Sequence, residues 1–201
     1  KLAGVAVHGG SGVSFGVIEQ LRRARPQAKF LELVHRLDKE TSGLLLVAKK
    51  RSVLTALQDQ LRQRETGKTY AALVIGAWPE ALKVIDVPLH KFLTAEGERR
   101  VRTVGDDDED GRRSITLVKV LGRFAAFTLL DVTIKTGRTH QIRVHLAHGG
   151  HPIVGDIERG GSNSERLLLH AWKLAFRHPS GGRQLEFESP AEFAETGHFA
   201  A

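Results

Sequence analysis

His35-Arg36-Leu37-Asp38-Lys39-Glu40-Thr41-Ser42-Gly43 runs directly into Leu44-Leu45-Leu46-Val47-Ala48, a polar loop followed by an apolar run. Gly43 to Ala48 has strand length and no charge, the pattern of a strand buried on both faces. Such a strand holds the loop before it rigid and fixes Asp38 at the edge of a core. Further along, Gly137-Arg138-Thr139-His140-Gln141-Ile142-Arg143-Val144-His145 forms a second polar cluster. An acid and a fixed cation, each beside an apolar stretch, suggest one buried site built from distant segments.

Working outward, Val5-Ala6-Val7-His8 reads as a short strand that ends in a Gly9-Gly10-Ser11-Gly12 turn. Val17, Ile18 and Leu21 have helical spacing, and Pro26 stops that helix. Ser52 is placed to cap a helix whose Leu54, Leu57 and Leu61 share one face. Lys68 to Ile75 is a further strand with Tyr70 near its entrance. Short strands fill Val84 to Val104, and Asp106 to Asp110 forms an acidic tip of the kind usually found solvated. Ser114–Val120 and Phe124–Ile134 predict a hairpin turning at Leu121-Gly122-Arg123. A short helix starts near Thr139, and Leu167–Phe176 and Gln184–Phe187 are strands separated by Pro179-Ser180-Gly181-Gly182. The sum is an α+β domain with a largely antiparallel sheet, without internal repeat or linker.

The chain has 201 residues, 41% hydrophobic and 26% charged, which suits one domain with a real core. No apolar run approaches the roughly 18 residues of a membrane helix. Lys and Arg total 30 against 23 acidic residues, a net charge of +7, so a polyanion such as nucleic acid is the favoured partner. A basic surface that only aids solubility is the competing reading. The absence of cysteine removes disulfides, thiolate catalysis and cysteine-type zinc sites, and is compatible with a reducing cytoplasm. A chain that begins at Lys1 and contains no methionine is expected to be part of a longer protein. Nothing has the heptads of a coiled coil, and the oligomeric state is not written in the pattern.

A carboxylate becomes a nucleophile when a cation keeps it ionised and its surroundings exclude water. Thr41, Ser42 and Gly43 suit a tight hydrogen-bonded turn after Asp38, and Arg143 offers a planar fork matched to a carboxylate. From spacing alone, an Asp–Arg pair that merely ties two segments together competes with this reading. His140, His145, His148 and His151 invite a metal, but no zincin-order acid and no cysteine accompany them, so RNA contacts or structural hydrogen bonds are preferred. No phosphate-cradling Gly-x-x-x-x-Gly-Lys pattern occurs.

The segment His35-Arg36-Leu37-Asp38-x-x-Thr41-Ser42-Gly43, the Lys68-Thr69-Tyr70 strand start and the Gly137–His145 cluster resemble, in order and spacing, the signature motifs of RluA-type pseudouridine synthases. The similarity extends over nearly the whole chain. It implies the pseudouridine synthase fold, an α+β arrangement with a central, mainly antiparallel mixed sheet and flanking helices and loops. It further implies isomerisation of specific uridines to pseudouridine in RNA, foremost large-subunit ribosomal RNA, in the cytoplasm, without metal or organic cofactor. A catalytically silent RNA-binding module on the same fold is the alternative, and a metal-dependent phosphoesterase is a distant third.

By the same resemblance Asp38 is the nucleophile, and Tyr70, the single tyrosine, packs on the base and takes the proton from carbon 5. Arg143 pairs with Asp38, with Arg138 as the alternative for that role. Arg36 enters the RNA stack when the nucleotide is flipped out, and Arg138 and His140 contact RNA. Leu168 and Leu169 lie on a strand that lines the uracil pocket in such enzymes. Two departures stand out: Lys1-Leu2-Ala3-Gly4 replaces the usual Lys-Pro opening, and Gly155-Asp156-Ile157-Glu158-Arg159-Gly160 replaces a Gly-Asp followed by Tyr-Gly. The expected organisation is one catalytic domain over residues 1–201, separated from an N-terminal RNA-binding domain.

Overall fold

The computed structural model describes residues 1–10 and 15–194, so Ser11 and Gly12 of the expected glycine turn lie outside the described residues. The described residues divide into two compact units, those of 1–68 with His170–Ala191, and Thr69–Leu169 with Glu192–Ala194.

In the first unit, helix α1 spans Val17–Ala24. Its start is satisfied by Glu19, whose Oε2 accepts the Gly16 N–H at 2.8 Å and the Gly9 N–H at 3.0 Å, the returning half of a capping box. Val5–His8, expected as a strand, has another task. The Ala6 and Val7 carbonyls accept the Val17 and Ile18 N–H groups, so the segment supplies partners for helix-start donors that α1 cannot satisfy itself.

Strands β1 (Glu32–Leu33), β2 (Ser42–Gly43) and β3 (Val47–Ala48) follow, then helix α2 (Arg51–Arg62). The apolar run expected as one strand is therefore split, with half-buried Leu44–Leu46 bridging β2 and β3. The division follows from different partners: β3 pairs antiparallel with β1, whereas β2 pairs in parallel with a strand from the far end of the chain. Lys50 rather than Ser52 is the N-cap of α2. Leu54, Leu57 and Leu61 do share a face, packing on the cluster of Val34, Ala48, Leu174 and Phe176. Leu57, the fully buried one of the three, contributes about 2 kcal/mol by withdrawal from water, and the partly buried Leu54 and Leu61 contribute less.

Strand β4 (Gly67–Ile75) leads into the second unit, followed by β5 (Val84–Asp86), β6 (Leu89–Leu93), β7 (Arg99–Thr103), β8 (Ile115–Arg123) and β9 (Phe127–Ile134). Antiparallel pairing links β4 to β9, β9 to β8 and β8 to β5, while β6 and β7 form a separate two-stranded ribbon. The β8–β9 turn falls later than expected. Leu121-Gly122-Arg123 stays in β8 beyond a bulge between Val120 and Gly122, and the chain reverses over residues 124–126. Helix α3 (Gln141–His148) and a 3-10 turn at Ile157–Arg159 follow. Ala71–Val74 of β4, Leu130, Val132, Leu146 and Ile153 have no exposure and form this unit's centre.

Strand β10 (Leu169–Arg177) returns to the first unit and pairs antiparallel with β11 (Gln184–Glu188). Its pairing with β2 is parallel, His170 opposite Ser42 and Ala171 opposite Gly43. Antiparallel ladders with this parallel exception give the expected α+β class with a mainly antiparallel mixed sheet.

Candidate active site

The Asp38 loop is built by alternation between anchored and outward residues. Leu37 is buried and Arg36 exposed, Asp38 is half-buried, and Thr41, Ser42 and Gly43 are buried. The Thr41 N–H donates to the Asp38 carbonyl at 3.1 Å and closes a turn over Lys39 and Glu40. Behind it, Ser42 Oγ lies 2.7 Å from His170 Nδ1, and His170 Nε2 lies 3.0 Å from the Ser189 carbonyl. A carbonyl only accepts, so Nε2 carries the ring proton and Nδ1 receives the Ser42 hydroxyl.

Gly43 has φ +112°, and a Cβ there would stand 2.2 Å from the Ala171 carbonyl oxygen. Only glycine allows this close parallel approach. On the loop's other flank, His35 Nε2 accepts the Leu46 N–H at 3.1 Å. Desolvation first, then the Lys68 ammonium, push the His35 imidazole from 6.5 down to about 4. It is therefore neutral near pH 7 and free to accept.

In the second unit the motif around α3 is a continuous hydrogen-bond network. Gln141, 3% exposed, uses both ends of its amide. Its oxygen accepts from Thr136 Oγ1 at 2.7 Å and the Arg138 N–H at 3.1 Å, and its nitrogen donates to the Ile115 carbonyl at 3.0 Å and Thr116 Oγ1 at 2.9 Å. Thr116 in turn donates to His145 Nδ1 at 2.8 Å, because His145 Nε2 must hold the proton it gives to the Val87 carbonyl at 2.9 Å. Every donor and acceptor in this chain of contacts points one way, which locks α3 to β8.

Arg143 rides on that locked helix. Its Nε and Nη2 donate to the two oxygens of Asp156 at 2.8 and 2.7 Å, and Nη2 also reaches Glu158 at 3.1 Å. The Asp156 side chain is wholly buried and that of Arg143 is 8% exposed, so the guanidinium plane is fixed. Arg159 Nη2 donates to His140 Nδ1 at 3.2 Å, while its Nη1 lies 3.6 Å from Asp156. Desolvation pushes the Glu158 carboxyl up, but the Arg143 guanidinium and then the Arg159 hydrogen bond and charge outweigh it and hold the group below its usual range.

Of the candidate residues, Asp38 and Arg36 belong to the first unit, and Tyr70, Arg138, His140 and Arg143 to the second. Arg143 and His140 share one network through Asp156 and Arg159. Arg138 is exposed and reaches the Arg113 carbonyl at 3.4 Å. Tyr70 is 7% exposed and lies opposite Val132 in the β4–β9 register. The four histidines singled out as a cluster take separate partners: Arg159 for His140, Thr116 and Val87 for His145, Thr103 for His148, and the Ile75 carbonyl for His151. In the acidic tip, Asp108 leans to 3.6 Å from His90 while its neighbours are exposed.

The anchoring acid Asp156 and the Ser42–His170 link were not found by pattern. Gly155-Asp156 was visible as an acid after a glycine, and its partner was not.

Residues 1–148 match the sequence profile of a family described as RNA pseudouridylate synthase. The chain belongs to this family. Among curated pseudouridine synthases, Ribosomal large subunit pseudouridine synthase C of Escherichia coli (strain K12) is 49% identical over 203 residues, covering 96% of this chain and 62% of the relative. Its counterpart in Salmonella typhimurium is 49% identical over 205 residues, covering 96% and 63%. The chain thus spans less than two thirds of these relatives. In structure it is similar to Human RNA Pseudouridylate Synthase Domain Containing 1, with a TM-score of 0.75 and 28% identity over 94% of this chain and 77% of that one. Domain Containing 4 shares the fold, with a TM-score of 0.74 and 24% identity over 95% and 83%. The pseudouridine synthase profile takes in Asp38, Tyr70 and Arg143 but stops short of Asp156 and His170, whose placement is read from geometry alone.

Proposed function

We propose that this chain isomerises selected uridines to pseudouridine in large-subunit ribosomal RNA, with Asp38 as the nucleophile. The target nucleotide leaves the RNA stack, and Arg36, exposed beside the loop, fills part of the gap, offsetting an unstacking cost of a few kcal/mol. The Asp38 carboxylate attacks either the uracil ring or the ribose. Along both routes the bond from ribose C1′ to N1 breaks, a bond from C1′ to C5 forms, and the carboxylate is released unchanged. The proton lost from C5 goes to Tyr70 and from there to solvent, and N1 takes up one proton from solvent, so the product is an isomer of the uridine. Arg143 pairs with Asp38 and keeps it ionised, while Arg138 and His140 contact the RNA backbone. No metal or organic cofactor enters these steps.

What carries this reading is the family match across Asp38, Tyr70 and Arg143, together with a loop in which Leu37 on one side of Asp38 and Thr41, Ser42 and Gly43 on the other are buried. Residues 1–201 act as one catalytic domain in it, and the reaction takes place in the cytoplasm. No helix of the described residues is long and apolar enough to cross a membrane.

The test is release of tritium from ribosomal RNA carrying uridine labelled at carbon 5. Asp38→Ala is expected to abolish release while RNA binding persists, and unchanged release removes Asp38 from the mechanism. A parent protein that binds RNA but releases nothing is the silent RNA-binding module.

A further inference from the structure

The β6–β7 ribbon presents a face that the proposed chemistry does not use. Residues opposite one another in an antiparallel pair project to the same side, and sides alternate along the strand. Leu89 faces Thr103 and Lys91 faces Val101 on one side, where Leu89 is 2% exposed and Thr103 Oγ1 lies 3.1 Å from His148 Nδ1 of α3. That side is occupied within the fold. The other side carries His90 opposite Arg102 and Phe92 opposite Arg100.

On this outer side Arg100 and Arg102 are exposed and Phe92 is half-buried. The Arg102 guanidinium lies over the Phe92 ring at 5.2 Å, and the His90 ring meets Phe92 edge-on at 6.3 Å and 89°. Arg100 is tied to Glu98 at 2.9 Å. Among the described residues, Arg102, Arg99 and Lys91 have no carboxylate within ion-pair distance. Arg102 is therefore positioned by a ring rather than by an acid, and its charge is not offset.

We propose that this face is a docking platform for an unpaired stretch of RNA, in which one base stacks on the Arg102 guanidinium and the adjoining phosphates meet Arg100 and Arg102. A flat cation backed by an aromatic ring suits a base whose face is accessible, which single-stranded RNA offers and a stacked duplex does not. The His90 end of the face lies next to the Asp108 carboxylate at 3.6 Å, which repels phosphate. The strand accordingly runs along the Phe92–Arg100 end. The proposal rests on RNA being the substrate, but not on Asp38 being the nucleophile.

The experiment measures binding of a short fluorescein-labelled single-stranded RNA, and of the same strand annealed to its complement, to the protein and its variants in the absence of turnover. Arg102→Ala is expected to weaken the single strand about tenfold, with a smaller effect on the duplex. It is also expected to make the salt dependence of single-strand binding shallower by nearly one phosphate contact. Phe92→Leu, which keeps an apolar side chain but removes the ring, is expected to weaken single-strand binding while leaving the salt dependence in place. The melting temperature of each variant shows that the fold is retained, and Arg102, being exposed, serves if Phe92→Leu does not fold. Unchanged single-strand binding by Arg102→Ala, or an equal loss for single strand and duplex, overturns the proposal. Repeating the measurement with Asp38→Ala separates the two readings, since a wrong nucleophile shows as continued tritium release and leaves these affinities as they are.

Discussion

Arg143 and Asp156 meet through two parallel hydrogen bonds, Nε to Oδ2 at 2.8 Å and Nη2 to Oδ1 at 2.7 Å, with the carboxylate fully buried. A pair of this kind holds an orientation more than it adds net stability, because both charges lose their hydration. Losing one partner is another matter. Asp156→Asn keeps the shape but leaves Arg143 with a buried, less compensated charge, and is expected to lower unfolding free energy by about 3 kcal/mol in urea titrations. Arg143→Met with Asp156→Leu is expected to recover much of that stability while tritium release stays low, which would separate folding from chemistry.

Gly43→Ala is expected to be among the most damaging single-methyl changes in the chain. The added Cβ would sit 2.2 Å from the Ala171 carbonyl oxygen, at a backbone φ of +112°. Neither the β2 nor the β10 backbone has slack to give, so a loss above about 3 kcal/mol is expected in thermal unfolding, with turnover lost alongside. Gly97→Ala, with φ +79° but nothing within 4 Å, carries only the backbone strain and serves as the control.

Gln141→Leu preserves volume and removes four hydrogen bonds at once. The Ile115 carbonyl and the Arg138 N–H then lose their amide partner, and Thr116 loses the contact that directs its proton to His145. A destabilisation of about 3 kcal/mol is expected from denaturant unfolding, with faster hydrogen exchange at the start of α3.

For His35 the sign follows from the direction of its shift. Its folded value is near 4 against 6.5 for the free imidazole, so between these values the unfolded chain binds more protons. Stability from this group is complete above about pH 6.5 and is lost as pH falls toward 4. His35→Gln retains an acceptor for the Leu46 N–H and is expected to flatten stability against pH across that window, leaving the carboxylate-driven loss at lower pH. An unchanged slope in matched urea titrations would assign the window to other groups.

Elements with their own periodicity were legible before any coordinates. The leucines of α2 repeat at a spacing that one face must bury, the β4 run is apolar over a strand's length, and Ile142 and Leu146 stand four apart in α3. Where a segment's state depends on distant partners, local pattern failed. Gly43–Ala48 reads as one strand, but its ends pair with β10 and β1, and no single straight strand serves both. Val5–His8 has strand composition, yet its carbonyls serve the α1 start. The β8–β9 turn slipped because a bulge adds a residue that pattern does not count. Among the candidate residues, Asp38 and Arg143 stood out through motif chemistry and Tyr70 through the family resemblance, whereas Asp156 and His170 matter through whom they touch, and contact across the chain leaves no spacing signal.

The bond from Ser42 to His170 spans 128 positions of sequence. Synthesis from the N-terminus therefore delivers the loop bearing the acid long before the strand that braces it, and the brace closes only after β10 has left the ribosomal tunnel. Until then Gly43 has only the Lys1 backbone to pair with, and the Ser42 hydroxyl lacks its His170 acceptor. The contact that braces this turn is accordingly among the later ones of the described residues to form, and a product cut short before His170 carries Asp38 on an unbraced turn.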